Sequence, residues 1–251
     1  DTAAYGMDRG TNLADLLRAI DEIPGEIRVR VGMADPLTVY PIVDDLVDAY
    51  ASKRIFTFLH LPVQSGSDEI LEAMKREYTV AQFEEIVRVF RRAYADVTLS
   101  TDVIVGFPGE TDAHFESTVS LVERTRPEIV NVTRFSARTG TPAALMPNQV
   151  VGWRSKERSR RLARLRFQIS KEVHERFVGR EQDVLMTEQG KPGTLLGRTP
   201  EYRQVVLRES VPLGEFVRVH LDIARSTDLL GHAVPNGLYT PVQIHTGSPV
   251  V

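Results

Sequence analysis

Residues 97–111 read VTLSTDVIVGFPGET: an apolar, β-branched run from Val97 to Val105, then Gly106-Phe107-Pro108-Gly109, then Glu110 and Thr111. A near-continuous apolar run that closes on a turn signal reads as a strand covered on both faces. The two glycines flanking Phe107-Pro108 permit a tight turn and a close backbone approach. Thr111 has the chemistry of an N-cap, and His114–Arg124 behind it reads as a helix. A second strand, Ile129–Phe135, follows. Strand, turn, helix and strand in this order make a βαβ unit and demand a parallel sheet.

The same alternation extends outward. Ile27–Val31 and Ile55–Val63 read as further strands, and Leu13–Ile23, Pro41–Tyr50, Glu69–Arg76 and Val80–Tyr94 as helices. In the last of these, Val80, Phe83, Ile86, Val87 and Phe90 share one face of a 3.6-residue period. Residues 1–150 are therefore expected to form a parallel α/β sheet or a (β/α) barrel. Residues 151–178 continue as one long helix, with Leu162, Leu165, Ile169, Val173 and Phe177 as its apolar stripe and Arg160, Arg161, Arg164 and Lys171 opposite. From residue 179 to residue 251 the pattern becomes short strands divided by Gly and Pro: Asp183–Thr187, Arg203–Leu207, Phe216–Ile223 and Leu238–Ile244. That is a small all-β, barrel-like domain.

Composition removes several classes. With 42% hydrophobic and 26% charged residues among 251, the chain is neither disordered nor fibrous. No run approaches the ~20 apolar residues of a membrane-spanning helix. Asp1–Gly6 lacks both an initiator Met and the shape of a signal peptide, so a cytoplasmic location is expected. The absence of cysteine excludes disulfides, thiol nucleophiles, Cys-ligated zinc and any Cys-held iron–sulfur cluster within these residues. The six histidines show no short metal-ligand spacing, so no metal site is expected. No nucleophile elbow, P-loop or Gly-x-Gly-x-x-Gly turn is present. The five lysines lie in polar or helical contexts, unlike a Schiff-base lysine in a barrel strand. The net charge of −3 conceals −8 over residues 1–150, +6 over 151–181 and −1 thereafter. Such a basic block can mark a polyanionic partner.

In (β/α) barrels chemistry gathers where strands exit at their C-terminal ends. One exit is His60–Asp68, where Pro62 blocks a further ladder bond and Gln64, Ser65, Gly66 and Ser67 lead into a helix. Its amides suit an anionic or hydroxyl-bearing ligand, while Ser65 or Ser67 equally suits a cap. At the next exit Ser100 and Asp102 precede Gly106 and Glu110. Asp102 inside an apolar run must either pair structurally or serve a site, and Glu110 also reads as favourable charge at a helix start. A third exit carries Arg134 and Arg138, able to fork a carboxylate or phosphate or simply to be solvated. These residues alone do not name a reaction.

Five segments, in order, resemble the methylthiotransferase family of radical S-adenosylmethionine enzymes: His60–Ser67 (HLPVQSGS), Met74–Tyr78 (MKREY), Thr101–Thr111 (TDVIVGFPGET), Arg138–Ala143 (RTGTPA) and Gly197–Val206 (GRTPEYRQVV). Asp1–Gly6, with Asp8 and Gly10-Thr11-Asn12, looks most like the archaeal and eukaryotic threonylcarbamoyladenosine tRNA branch. The resemblance implies an α/β fold: a partial radical-SAM (β/α) barrel, here its strands three to six, then a small β domain called TRAM that binds RNA. It implies methylthio transfer to C2 of a modified adenosine beside the tRNA anticodon. The cofactors implied are S-adenosylmethionine and two [4Fe-4S] clusters, and the reductant a protein such as a ferredoxin or flavodoxin.

By position the resemblance places Gln64, Ser65 and Ser67 near the cofactor ribose or methionine. It sets the Asp102–Gly106 stretch along the adenine, counts Ser100 and Glu110 among the cofactor-binding residues, and leaves Arg134 to the methionine carboxylate or the tRNA. Arg138, Arg160, Arg161, Arg164, Lys171 and Arg198 would meet tRNA, largely at phosphates. No catalytic residue is implied, and the oligomeric state stays open. The family's cluster-binding cysteines are absent, so the chain is expected to be a C-terminal portion, inactive by itself. Two other readings keep the scaffold: a sister branch acting on an aspartate of a ribosomal protein, and a catalytically silent RNA-binding protein.

Overall fold

The run around Asp102 is the middle strand of a three-stranded parallel sheet in the computed structural model, which describes residues 1–238. The strands are β1 (Phe58–His60), β2 (Thr98–Val105) and β3 (Ile129–Arg134), ordered β1-β2-β3. Side chains alternate across a strand. Leu99, Val103 and Val105 are buried in the apolar core, leaving Ser100 and Asp102 for the other face. Pairing outlasts β1: Gln64 donates to the Asp102 carbonyl at 2.8 Å and accepts from the Ile104 amide at 2.9 Å.

The helices of this half are α1 (Leu13–Asp21), α2 (Pro36–Val39), α3 (Val43–Ala49), α4 (Asp68–Ala73), α5 (Val80–Ala93), α6 (Asp112–Thr125) and α7 (Pro142–Leu145). Local chemistry sets their starts. Asn12 with Asp15, Thr79 with Gln82, and Thr111 with His114 each form a reciprocal capping box. The strand expected at Ile27–Val31 is reduced to a single parallel bridge between Val29 and Ile55. Only Val29 is in register there, its amide donating to the Arg54 carbonyl at 2.7 Å and its carbonyl accepting from the Phe56 amide at 2.9 Å. The helix expected over Pro41–Tyr50 is shortened to α3, because Pro41 sits in a 3-10 turn at Tyr40–Ile42 and supplies no amide to a continuous helix; α2, just before that turn, was not expected.

Helix α8 (Gly152–Glu175) crosses from the sheet to a closed barrel of β4 (Glu181–Gln189), β5 (Leu195–Arg198), β6 (Gln204–Leu207), β7 (Phe216–Ala224) and β8 (Leu229–Leu238). Closure runs β4-β5-β6-β8-β7, with the β6–β8 pair parallel and the others antiparallel. Val184, Met186, Val205, Leu207, Val217, Val219, Leu221 and Leu229 fill its interior. β5 was not expected, since Gly190, Pro192, Gly193 and Gly197 imitate a loop. β8 was not expected either; the strand anticipated at Leu238–Ile244 falls, beyond Leu238, outside the described residues.

The barrel is fastened beneath the sheet, at the strands' N-terminal ends. Thr57, just before β1, donates to the Pro200 carbonyl at 2.9 Å. Buried Arg203 meets Glu128 at 2.5 Å, and Glu128 also accepts the Leu99 amide at 2.7 Å. The strand exits therefore point away from the barrel.

Candidate cofactor exits and nucleic-acid interface

Gln64 sits at φ +65°, left-handed backbone that costs a non-glycine residue on the order of 1–3 kcal/mol unless its surroundings enforce it. The two bonds to β2 do so. Ser65 is fully buried and its hydroxyl accepts the Ser67 amide at 3.2 Å. Ser67 occupies the N-cap of α4 but its own side chain makes no capping bond. Between them Gly66 lies against α6: its amide donates to Thr118 Oγ1 at 2.9 Å, and a Cβ there would sit 2.5 Å from Thr118 Cα. Packing alone thus accounts for the small residue at position 66.

At the next exit Gly106 takes φ +80° and is pressed so closely by Ser155 of α8 that a Cβ has no room. Glu110 Oε2 accepts the Gly106 amide at 2.6 Å and pairs with the buried Arg158 guanidinium at 2.6 Å. Arg158 also reaches Asp112 at 2.7 Å and the Glu110 carbonyl at 3.1 Å. Burial pushes the Glu110 carboxyl above its ordinary value, against the opposing pull of the Gly106 amide and Arg158. The carboxylate faces its own loop, where the sequence had suggested either a ligand or a helix-start charge.

On the open face of the sheet, Asp102 accepts from Asn131 Nδ2 at 2.7 Å and contacts His60 Nε2 at 3.2 Å. Burial would raise its carboxyl, yet the bonds from His60 and Asn131 outweigh that and hold it below its usual range. His60 and Asn131 were not among the residues singled out. Their signal is parity: His60 pairs with Ser100 and Asp102 with Asn131, so all four share a face. The same rule separates Arg134 from them. Arg134 pairs with Val105, so it lies on the face occupied by Val103 and Val130, and the structure does not bring it to Asp102. Arg138 is exposed in the loop beyond β3.

Helix α8 presents a second kind of surface. Trp153, Lys156, Arg160, Arg164, Phe167 and Lys171 recur at three- and four-residue intervals and are all exposed, Trp153 by 64% and Phe167 by 39%. They form one stripe opposite buried Leu162, Ile169 and Val173. Arg161 departs from the expected set, because it turns to α6 and pairs with Glu116. Lys171 lies 3.7 Å from Glu175, whereas Arg160 and Arg164 have no ion pair among the described residues. Arg198 lines a cavity of about 420 Å³ between sheet, helix and barrel, together with Arg30, Phe58, Asn131, Arg166 and Tyr202. Its guanidinium lies 4.8 Å from the centre of the Tyr202 ring and 3.6 Å from Glu188.

Comparison with known proteins defines the class. Residues 6–122 match the Radical SAM superfamily and residues 175–234 the TRAM domain. The chain is 50% identical over 232 residues to a probable threonylcarbamoyladenosine tRNA methylthiotransferase of Archaeoglobus fulgidus, covering 92% of this chain and 54% of that protein. It is 48% identical to the Pyrococcus horikoshii protein so named, over 93% and 55% of the two chains. With the human threonylcarbamoyladenosine tRNA methylthiotransferase it shares 36% identity, over 96% and 42%. The chain spans about half the length of these curated relatives. It is a Radical SAM domain joined to a TRAM domain. Over more than nine-tenths of its length the chain is similar to proteins named threonylcarbamoyladenosine tRNA methylthiotransferases.

Proposed function

We propose that this chain is the C-terminal part of an enzyme that places a methylthio group on C2 of N6-threonylcarbamoyladenosine in tRNA. The observation that carries the reading is 50% identity, over 92% of the chain, to a protein bearing that activity in its name. In this reading β1–β3 and the Val29 segment are strands three to six of a partial (β/α) barrel, and the TRAM domain begins at residue 179. The working protein is cytoplasmic, holds two [4Fe-4S] clusters and draws electrons from a ferredoxin or flavodoxin.

The residues present fit the two cofactors differently. Without cysteine this chain offers no thiolate to a cluster, and no step of cluster chemistry is assigned to it. For S-adenosylmethionine the donor set fits: a carboxylate, an amide and a hydroxyl (Asp102, Asn131, Ser100) lie in one row below two tight exits. Bound cofactor supplies the radical that opens the C2–H bond. The chain's own residues hold and orient. Asp102, kept ionised by His60 and Asn131, accepts from ribose or amino N–H and O–H groups. Gln64, Ser65 and Ser67 shape one wall, and Gly106 the other, with Glu110 as a positioning residue behind it. Arg134 and Arg138 stand at the rim for tRNA.

The α8 stripe, with Arg198 of the TRAM domain, holds RNA through phosphates, while Trp153 and Phe167 offer faces for base stacking. Arg161, engaged by Glu116, contributes less than Arg160 and Arg164. Mass spectrometry of tRNA nucleosides from cells lacking the gene tests the reading. The 2-methylthio derivative disappears and N6-threonylcarbamoyladenosine accumulates; an unchanged 2-methylthio level refutes it.

A further inference from the structure

The TRAM barrel carries a cluster that plays no part in holding RNA or cofactor as described above. His220 on β7 is the register partner of His232 on β8, and their ring centroids lie 5.2 Å apart. Asp222 stands between them: His220 Nδ1 is 3.0 Å from Oδ1 and His232 Nδ1 is 2.8 Å from Oδ2. One donor atom from each of the three residues falls within 4.8 Å of the others.

The backbone builds this arrangement. Val219 and Leu221 point into the barrel, so period two turns His220 and Asp222 outward. Leu221 pairs with Gly231 and Ile223 with Leu230, which leaves Asp222 as the extra residue of a β-bulge. Bulges re-aim side chains, and this one sets the carboxylate between two imidazoles. Gly231, next to His232, allows β8 to approach so closely that a Cβ there would strike the His220 carbonyl oxygen.

We propose that His220, Asp222 and His232 form a binding site for a divalent transition-metal ion of the zinc class. Two imidazole nitrogens and one carboxylate oxygen are the donor set such ions prefer, whereas Ca²⁺ and Mg²⁺ want oxygen shells. Donors around tetrahedral zinc at about 2.1 Å stand about 3.4 Å apart. The imidazole–carboxylate separations of 2.8 and 3.0 Å, made to the two oxygens of one carboxylate, are shorter than that spacing, and rotations of these exposed side chains open them to it. Each Nδ1 proton now donated to Asp222 gives way to the metal, so binding releases protons. Water fills the open side. The ion staples β7 to β8 across the bulge and thereby ties down the last described strand. Spacing in sequence concealed the site, because Asp222 and His232 stand ten positions apart and only the hairpin brings them together.

The test uses the chain freed of metal with a chelator. Zinc titration by calorimetry, with Co²⁺ absorption as a second probe, yields one saturable site. His232→Ala and Asp222→Asn each weaken zinc binding more than about tenfold, as loss of one of three ligands requires. Unchanged circular dichroism of both metal-free variants shows that the barrel still folds. In NMR spectra zinc shifts the His220 and His232 rings together and leaves His174 in place. Mg²⁺ at the same concentration shifts neither. Absence of saturable zinc binding, equal affinity in parent and variants, or shifts at other histidines alone overturns the proposal.

Discussion

Replacing Glu110 by Ala tests whether the turn at Gly106 is held by one buried carboxylate. Side-chain exposures of 1% for Glu110 and 5% for Arg158 place the pair beyond solvent screening. Removing one member of such a pair costs about 3–5 kcal/mol, because the other charge stays buried. Here Arg158 keeps Asp112 and the Glu110 carbonyl, so the low end, about 3 kcal/mol, applies, and that figure includes the orphaned Gly106 amide. About 3 kcal/mol is a factor of roughly 150 in the unfolding equilibrium.

Burial already holds the Glu110 carboxyl above its ordinary value, so ionisation of this pair is costly in the folded protein. Replacing both members should therefore hurt less than replacing one: Glu110→Met with Arg158→Met is expected to cost only about 1–2 kcal/mol. Urea unfolding measures the totals, and hydrogen exchange at the Gly106 amide reads the turn itself, faster by about 100-fold in Glu110→Ala. The reasoning fails if Glu110→Ala stays within about 1 kcal/mol of the parent, or if the double variant loses as much as the two singles combined.

Three further outcomes follow from single observations. His174 is buried, donates from Nδ1 to the Arg225 carbonyl at 2.6 Å and faces Arg203, Glu128 and Asp228; burial, more than Arg203, lowers its pKa. Its folded form stays neutral while the unfolded chain takes up a proton below about pH 6.5, so its share of stability is complete above that pH and drains away beneath it. Thermal midpoints from pH 8 to about pH 5.5 should fall more steeply in the parent than in His174→Gln, and parallel curves would contradict this. Reversing Lys156, Arg160 and Arg164 to Glu should lower the slope of log affinity for tRNA against log salt by about 0.7–0.9 for each lost phosphate contact; an unaltered slope removes the α8 stripe from the interface. Gly66→Ala must displace α6, since the new methyl meets Thr118 Cα, and should cost about 1–3 kcal/mol in the unfolding free energy; a cost below about 0.5 would show that α6 yields freely.

The parallel sheet was legible because β2 is a long, mostly apolar run and β3 carries Ile129, Val130 and Val132, with Thr111 capping the helix between them. Those are local signals, and the structure keeps them. β5 was hidden because its residues earn no strand signal of their own: four residues, Leu195 to Arg198, succeed only by pairing with β4 and β6 on both sides. Tertiary pairing outweighs glycine propensity there. At the site, Gln64, Asp102 and Gly106 stood out as oddities within apolar or turn sequence. His60 and Asn131 did not, since their role depends on register between strands about 30–40 residues apart. Arg134 falls on the opposite face from Asp102, as counting from Asn131 to Arg134 in steps of two shows.

Helix α8 is where those local facts become one arrangement. Near its start Ser155 closes on Gly106 and Arg158 grips Glu110, so the helix forms part of the exit turn. Near its end His174 holds the Arg225 carbonyl, and just beyond it the Phe177 ring lies 4.1 Å under the Arg203 guanidinium, so the helix also forms part of the barrel's seat. Its 24 residues span about 36 Å, and an α-helix does not shorten or kink sharply without losing backbone bonds. The exposed stripe of Lys156, Arg160 and Arg164 lies between those anchors. A nucleic acid held on it is thus set at a fixed distance from the Gly106 turn by the backbone of one element. Swivelling of the barrel does not change that distance, because Ser155 and Arg158, which hold the Gly106 turn, and the stripe itself belong to the same helix.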